Sequence, residues 1–148
     1  GRVVEDFKLD TGTFVNAGRL RIQAIEAADG LIQDALVAGL DRSYAAILAW
    51  PNVAACRAFV GEELSVAEIV ADRRILARIG EGLARHNAEH PGSSTQIRRA
   101  LLMTEPPSLD AGETTDKGYV NQSLSLERRA DLVKRLYADP PGAEVVVA

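Results

Sequence analysis

Two short β-prone runs open the chain, Phe7-Lys8-Leu9 and Thr13-Phe14-Val15, with Asp10-Thr11-Gly12 between them. They predict a small hairpin with glycine in its turn. Asn16 can then cap a helix over about 17–28, where Leu20, Ile22, Ile25 and Ala28 recur at helical spacing and Gly30 ends the pattern. Leu31 to Val37 and Tyr44 to Trp50 are apolar, β-compatible runs separated by Gly39-Leu40-Asp41-Arg42-Ser43, and they read as paired strands. Pro51-Asn52 stops the second strand and can start a short helix through Phe59. Ser65-Val66-Ala67-Glu68 has the form of a capping box and opens the longest helical pattern, about Ser65 to His90. Gly80 and Gly82 weaken the middle of that helix by up to about 1 kcal/mol each relative to alanine. Ile97 to Met103 is a further strand, Ser108 to Gln122 a polar and turn-rich loop, and Leu124 to Ala138 a last amphipathic helix. Asp139-Pro140-Pro141-Gly142 stops it, leaving a tail that is either loose or an extra edge strand. The order predicts an α+β domain over 1–138: a small mixed sheet of about three strands plus an N-terminal hairpin, covered by helices, with 139–148 as a tail.

Composition narrows the class. At 148 residues the chain is one domain's worth, since domains run to about 100–200 residues. Apolar residues at 47% and charged residues at 26% exclude a disordered or collagen-like chain. The single Cys56 excludes a disulfide-built scaffold. Seventeen basic against 21 acidic residues give a net charge of −4, which argues against nucleic acid as a partner. The longest nearly uncharged stretch, Ser43 to Cys56, contains Pro51 and is too short to span a bilayer, so no membrane partner is expected. Acids at Glu5 and Asp6 stand where a signal peptide would be apolar, which predicts a cytoplasmic location. Only three of the 17 basic residues are lysines: Lys8, Lys117 and Lys134. Where arginine is the default cation, a lysine offers a compact ammonium that can reach one oxygen.

Candidate chemistry is sparse. His86 and His90 stand four apart on a helix, but no third ligand accompanies them, and they read as solvent-facing residues near a helix C-terminus with no metal site. Cys56, among alanines and Phe59, reads as a small core residue. Gly92-Ser93-Ser94-Thr95 lacks the spacing of a phosphate-binding loop and reads as a turn before a strand. Lys117 is the sharper case. It lies in a long polar loop, between Gly112 and Gly118, where a folded scaffold tends to carry functional side chains; a solvated lysine beside Asp116 is the alternative. The opening Gly1 to Lys8, charged and strand-like, looks cut from a longer chain and could serve as an interdomain hinge.

Taken together, the two ends resemble the C-terminal domain of acyl-adenylate-forming enzymes, the AMP-dependent synthetase and ligase superfamily. Gly1-Arg2 followed by Glu5-Asp6, Lys8 and Gly12 resembles the hinge and hairpin that begin that domain, and 114–122 resembles its catalytic lysine loop. Val37-Ala38-Gly39 is similar to the Val-x-Gly end of its central strand. The Gly92 turn, Arg99-Ala100-Leu101-Leu102, the stretch from Glu105 to Glu113, and Asp116-Lys117-Gly118-Tyr119 resemble the feruloyl-CoA synthase branch. The resemblance covers about 1–138. There are departures: Asn16-Ala17-Gly18-Arg19 replaces an acidic helix start, and Phe14 stands where a polar ligand-contacting residue is common. One extra residue lies between Arg2 and Gly12. Counting forward makes Val4 the hinge and matches Lys8 to the family's hairpin lysine; counting back makes Glu5 the hinge and leaves Lys8 unmatched. The polar Glu5 is preferred.

The resemblance implies an ATP-dependent acid–CoA ligase in which this domain works with its own N-terminal adenylation domain on a small aromatic carboxylic acid. Lys117 would be the catalytic lysine of adenylation, Glu5 the hinge, and Arg2 a contact to the ribose or the opposing domain. Gly12 would let pantetheine of coenzyme A pass close to the backbone, with Lys8 nearby. The ATP phosphate loop and any Mg2+ ligands would belong to the N-terminal domain, so the isolated domain is expected to be inactive. The competing expectation is a non-catalytic α+β interaction module of the same fold, and a carrier-protein-linked domain that activates amino acids is a third.

Overall fold

The computed structural model describes residues 6–148. A two-stranded hairpin, β1 (Phe7–Lys8) and β2 (Phe14–Val15), leads into α1 (Ala17–Ala27). The strands β3 (Ile32–Ala38) and β4 (Ala46–Pro51) follow, then the helices α2 (Val53–Val60), α3 (Val66–Ile69) and α4 (Arg73–Glu89). The chain closes with β5 (Arg99–Leu102), α5 (Gln122–Arg128), α6 (Ala130–Leu136) and β6 (Val145–Val147). The main sheet has the order β3-β4-β5-β6, with β4 and β5 parallel and the outer pairs antiparallel. This is the α+β class the pattern predicts. The sheet has four strands instead of about three, because the apolar run 145–147 returns to pair with β5 as an edge strand.

Both sheet faces are covered, which is why β4 reads as an unbroken apolar run and not as an alternation. Ile47 and Ala49 face the core built with Leu20, Ala24, Ile75, Ile79 and Leu83 of α1 and α4. Ala46, Leu48 and Trp50 face the smaller core that Leu136 and Tyr137 close. Two long helical patterns are broken in the structure. Asp72 accepts hydrogen bonds from the backbone of Arg74 and Ile75 and so caps a fresh helix, splitting the expected 65–90 helix into α3 and α4. Arg129 leaves helical geometry (φ −107°, ψ 30°) between α5 and α6, splitting the expected 124–138 helix. His86 is a second correction. It is buried, and its Nε2 donates to the Thr95 carbonyl at 2.7 Å, because the chain doubles back over α4 after the Gly92 turn. His90 stacks on it at 4.5 Å and donates from Nδ1 to the His86 carbonyl.

Gly82, read in sequence only as a weak point of a helix, lets α4 cross the end of α1 at backbone distance. A Cβ on Gly82 would overlap the Ala27 carbonyl oxygen, which is backbone and cannot rotate away. Gly82→Ala is therefore expected to destabilise the domain by about 1–3 kcal/mol despite alanine's better helix propensity. Urea unfolding of the two proteins checks this; equal or greater stability in the variant would contradict the packing described.

Candidate functional site

Lys117 sits at the tip of a narrow hairpin. Gly118 N–H donates to the Thr115 carbonyl at 2.9 Å and Thr115 N–H donates to the Tyr119 carbonyl at 3.0 Å. Gly118 has φ +82°, so the loop Asp116-Lys117-Gly118 is the three-residue turn that needs a left-handed residue at its last position. Thr115 Oγ1 also accepts from Tyr119 N–H, and Thr114 and Val120 form an antiparallel bridge below the turn. Lys117 and Tyr119 are exposed at the tip.

The base of this hairpin is a densely bonded, buried polar cluster. Glu113 has 0% exposure, and its carboxylate accepts from Arg129 Nε at 2.9 Å and from Arg129 Nη2 at 3.0 Å. It also accepts from Ser108 N–H at 2.8 Å, and Arg128 approaches to 3.2 Å. The Glu113 carbonyl accepts from Asn121 N–H at 2.7 Å, closing the loop. Arg129 further donates to the carbonyls of Glu105 and Pro106 and lies 5.2 Å from the Trp50 ring. One guanidinium thus joins the end of β4, the Glu105-Pro106 segment and the root of the lysine hairpin. On the return side, the Gln122 side chain bonds the backbone of β3 at Val37 and Ala35.

Hydrogen bonds from Arg129, joined by those from the Ser108 backbone, pull the Glu113 carboxyl from 4.5 down to about 2 against the opposing effect of burial. The folded value lies below the unfolded one. This stabilisation is therefore complete above the unfolded value and is lost as pH falls from about 4.5 towards 2. Glu113→Gln is expected to melt below wild type at neutral pH, with the gap closing as pH falls through that window. A gap in melting temperature that is constant between pH 5 and pH 2.5 would contradict the assignment.

The N-terminal hairpin repeats the same turn. Gly12 N–H donates to the Leu9 carbonyl at 2.9 Å, Leu9 N–H donates to the Thr13 carbonyl at 2.8 Å, and Gly12 has φ +85°. A Cβ on Gly12 would meet nothing within 4 Å, so the glycine is required by backbone conformation while its face is open to an incoming group. Lys8 and Phe14 are exposed cross-strand partners, Phe14 at 56%. Thr13 Oγ1 reaches Ser93 Oγ at 3.2 Å, which ties the hairpin to the Gly92 turn. The hairpin also rests on the end of β3: a Cβ on Gly39 would lie 2.7 Å from the Phe7 ring. An apolar groove of about 670 Å3 runs between Phe7 and the end of β3 on one side and α5 and α6 on the other, lined by Phe7, Ala38, Leu40, Gln122, Leu126 and Val133 among others. Gly12 and Lys117 are thus carried on two hairpins braced by one strand. Arg2, Glu5 and the alternative hinge Val4 lie outside the described residues.

Cys56 is buried, its thiol pushed up to about 11 by desolvation and then by Asp72, which makes it a poor nucleophile. Among the described residues no group of three His, Cys, Asp or Glu side chains is placed to hold a metal ion. No helix among them is long and apolar enough to cross a membrane. The residues that sequence reasoning passed over are Glu113, Arg129 and Gln122. Gln122 and Arg129 fall on the same helical stripe as Leu126, Val133 and Leu136, and polar residues on a core-facing stripe were the available signal.

Residues 9–140 match the AMP-binding enzyme C-terminal domain family. No curated protein matches the sequence significantly. Solved structures similar in fold include the A domain of a carboxylic acid reductase from Segniliparus rugosus, in complex with AMP and a co-purified carboxylic acid. It superposes with a TM-score of 0.68 at 21% identity, over 91% of this chain and 20% of that one. The A-PCP didomain of the carboxylic acid reductase from the same organism, in complex with AMP, gives 0.67 at 21% identity over 90% and 17%. The adenylation domain of a carboxylate reductase from Mycobacterium chelonae gives 0.69 at 20% identity over 90% and 19%. At these identities the likeness is one of fold, and the chain spans about a fifth of the length of these proteins.

Proposed function

The chain belongs to the AMP-binding enzyme C-terminal domain family, and from that premise we propose that it is the mobile catalytic domain of an ATP-dependent acid–CoA ligase acting on a small aromatic acid of the hydroxycinnamate type. The observation that carries the reading is the lysine hairpin: a short, fully bonded turn that projects Lys117 beyond a buried, charge-neutralised base.

Adenylation brings two anions together, the attacking carboxylate oxygen and the α-phosphate of ATP. An ammonium between them offsets their repulsion as the new oxygen–phosphorus bond forms and pyrophosphate leaves. A lysine at a hairpin tip suits this role because it can enter a site on another domain without carrying bulk with it. The phosphate loop, the acid pocket and the Mg2+ ligands belong in this reading to a large N-terminal domain. In this reading Glu5 is the hinge about which the domain turns after adenylation, withdrawing Lys117 and presenting the first hairpin, and Arg2 contacts the ribose or the opposing domain. Gly12 then lets the pantetheine of coenzyme A run close to the backbone, since its Cβ direction is open. Lys8, exposed on the same hairpin, is available to an anionic part of the cofactor.

Acyl-CoA formation from ferulate, ATP and coenzyme A is the direct test, with this domain alone and with the full-length protein that carries it. Activity is expected only in the full-length protein. Adenylate formation without transfer to coenzyme A would point to a carrier-bound thiol as acceptor. Absence of adenylation with any aromatic acid would favour a non-catalytic interaction module, for which the exposed Phe14 on the first hairpin is the supporting observation.

A further inference from the structure

The lysine hairpin leaves the body of the domain at Glu113 and returns at Gln122, and the two ends are held in different ways. The entry is fixed by charge, through Arg129. The exit is bonded to the entry through Asn121 N–H on the Glu113 carbonyl, and to the sheet through a neutral side chain. Gln122 is buried at the first position of α5; its Oε1 accepts from Val37 N–H at 2.8 Å and its Nε2 donates to the Ala35 carbonyl at 3.0 Å. Both partners are main-chain groups on the outer side of β3, 85 and 87 residues away in sequence. The same strand continues into Gly39, on which Phe7 of the first hairpin rests.

We infer that Gln122 is a positioning residue for the adenylation step: it fixes the return of the lysine hairpin to β3, so that the reach of Lys117 is set by the sheet. The inference rests on the reading of Lys117 given above. A charge at a hairpin tip is useful only within a narrow range of positions, and displacement by about 1 Å can cost a reaction about 100-fold. With the link to β3 removed, the hairpin, its two arms still bonded to each other at Glu113 and Asn121, would tilt about Glu113 as a unit, leaving the tip intact but misplaced. A carboxamide suits the task because it supplies one acceptor and one donor side by side, matching the Val37 N–H and the Ala35 carbonyl.

The test uses the full-length enzyme with Gln122→Leu and Gln122→Glu, following adenylation by ATP–pyrophosphate exchange and thioester formation from preformed acyl-adenylate. Gln122→Leu is expected to lower kcat for exchange by about tenfold or more, with KM for ATP and acid little changed and with thioester formation preserved. Gln122→Glu keeps an acceptor for Val37 but, when ionised, has no donor for Ala35; protonated, it regains both. Its exchange activity relative to wild type is therefore expected to recover as pH is lowered while its thioester formation stays at the wild-type level over the same range, whereas a general loss of stability would depress both. Equal loss in both half-reactions, a rise in KM at constant kcat, or unchanged exchange would overturn the inference. Lys117→Ala separates the two readings: if it abolishes exchange and Gln122→Leu does not lower it, only the role of Gln122 falls. If Lys117→Ala leaves exchange intact, the assignment of the lysine falls and this inference with it.

Discussion

Lys117→Ala in the full-length enzyme is expected to lower acyl-adenylate formation by about 100- to 1,000-fold, while preformed acyl-adenylate still reacts with coenzyme A. In the proposed role, the size follows from what is removed: a preorganised cation delivered to the point where two anions meet, in a site where exclusion of water would strengthen its field. The asymmetry between half-reactions follows from location. Lys117 is on a different hairpin from Gly12, and a domain that presents one hairpin to the reaction centre at a time uses the lysine in only one step. Stability should not change, because the side chain is exposed at a turn whose hydrogen bonds are all made by its neighbours. Lys117→Arg is expected to recover little, since a planar fork does not occupy the position of a compact ammonium. ATP–pyrophosphate exchange and single-turnover thioester formation measure the two steps separately; equal loss in both would remove Lys117 from the role proposed.

Arg129→Met is expected to destabilise the domain by about 3–5 kcal/mol, measured by denaturant unfolding. It leaves the Glu113 carboxylate buried without its bidentate partner, and it strips the donor from the carbonyls of Glu105 and Pro106. Arg128 also approaches Glu113 but is substantially exposed, and Arg128→Met should cost no more than about 1 kcal/mol. The double variant Glu113→Leu, Arg129→Met removes the stranded charge and should regain part of the loss. It should not regain all of it, because the two carbonyls remain without Arg129. Full recovery in the double variant would show that the ion pair alone, and not the wider junction, held the loop.

What could be read from sequence was what is decided locally. Asn16, Asn52 and the Ser65–Glu68 capping box start helices where their short polar side chains predict. The hairpin around Gly12 follows from its turn residues, and β3 and β4 from apolar runs too long to be exposed. The α+β class and the order of the elements rest on those. The breaks at Asp72 and Arg129 were hidden because each depends on a competition that periodicity does not record. Asp72 prefers two backbone amides to a place inside a helix. Arg129 is drawn to a carboxylate 16 residues away. His86 was misplaced for the same kind of reason, its partner Thr95 being brought over it by a turn. In the candidate site, Lys117 was legible because lysine is rare in this chain and its loop is polar. Glu113 was not, since a lone acid means nothing until Arg129 is folded against it, and Gln122 showed only as a polar position on an apolar helical stripe. The family match over 9–140 agrees with the superfamily resemblance from Gly12 through the lysine loop; Arg2, Glu5 and Lys8 lie outside the matched residues, and the feruloyl-CoA branch rests on the sequence resemblance alone.

The bonding of Gln122 to β3 also bears on solubility. β3 is a terminal strand of the sheet, and its outward N–H and C=O groups form the row onto which a strand of another molecule could add. A side-chain amide seated on Val37 and Ala35 occupies two of those groups with a partner too short to extend further. The same residue that sets the lysine hairpin therefore also guards an edge against intermolecular β-pairing.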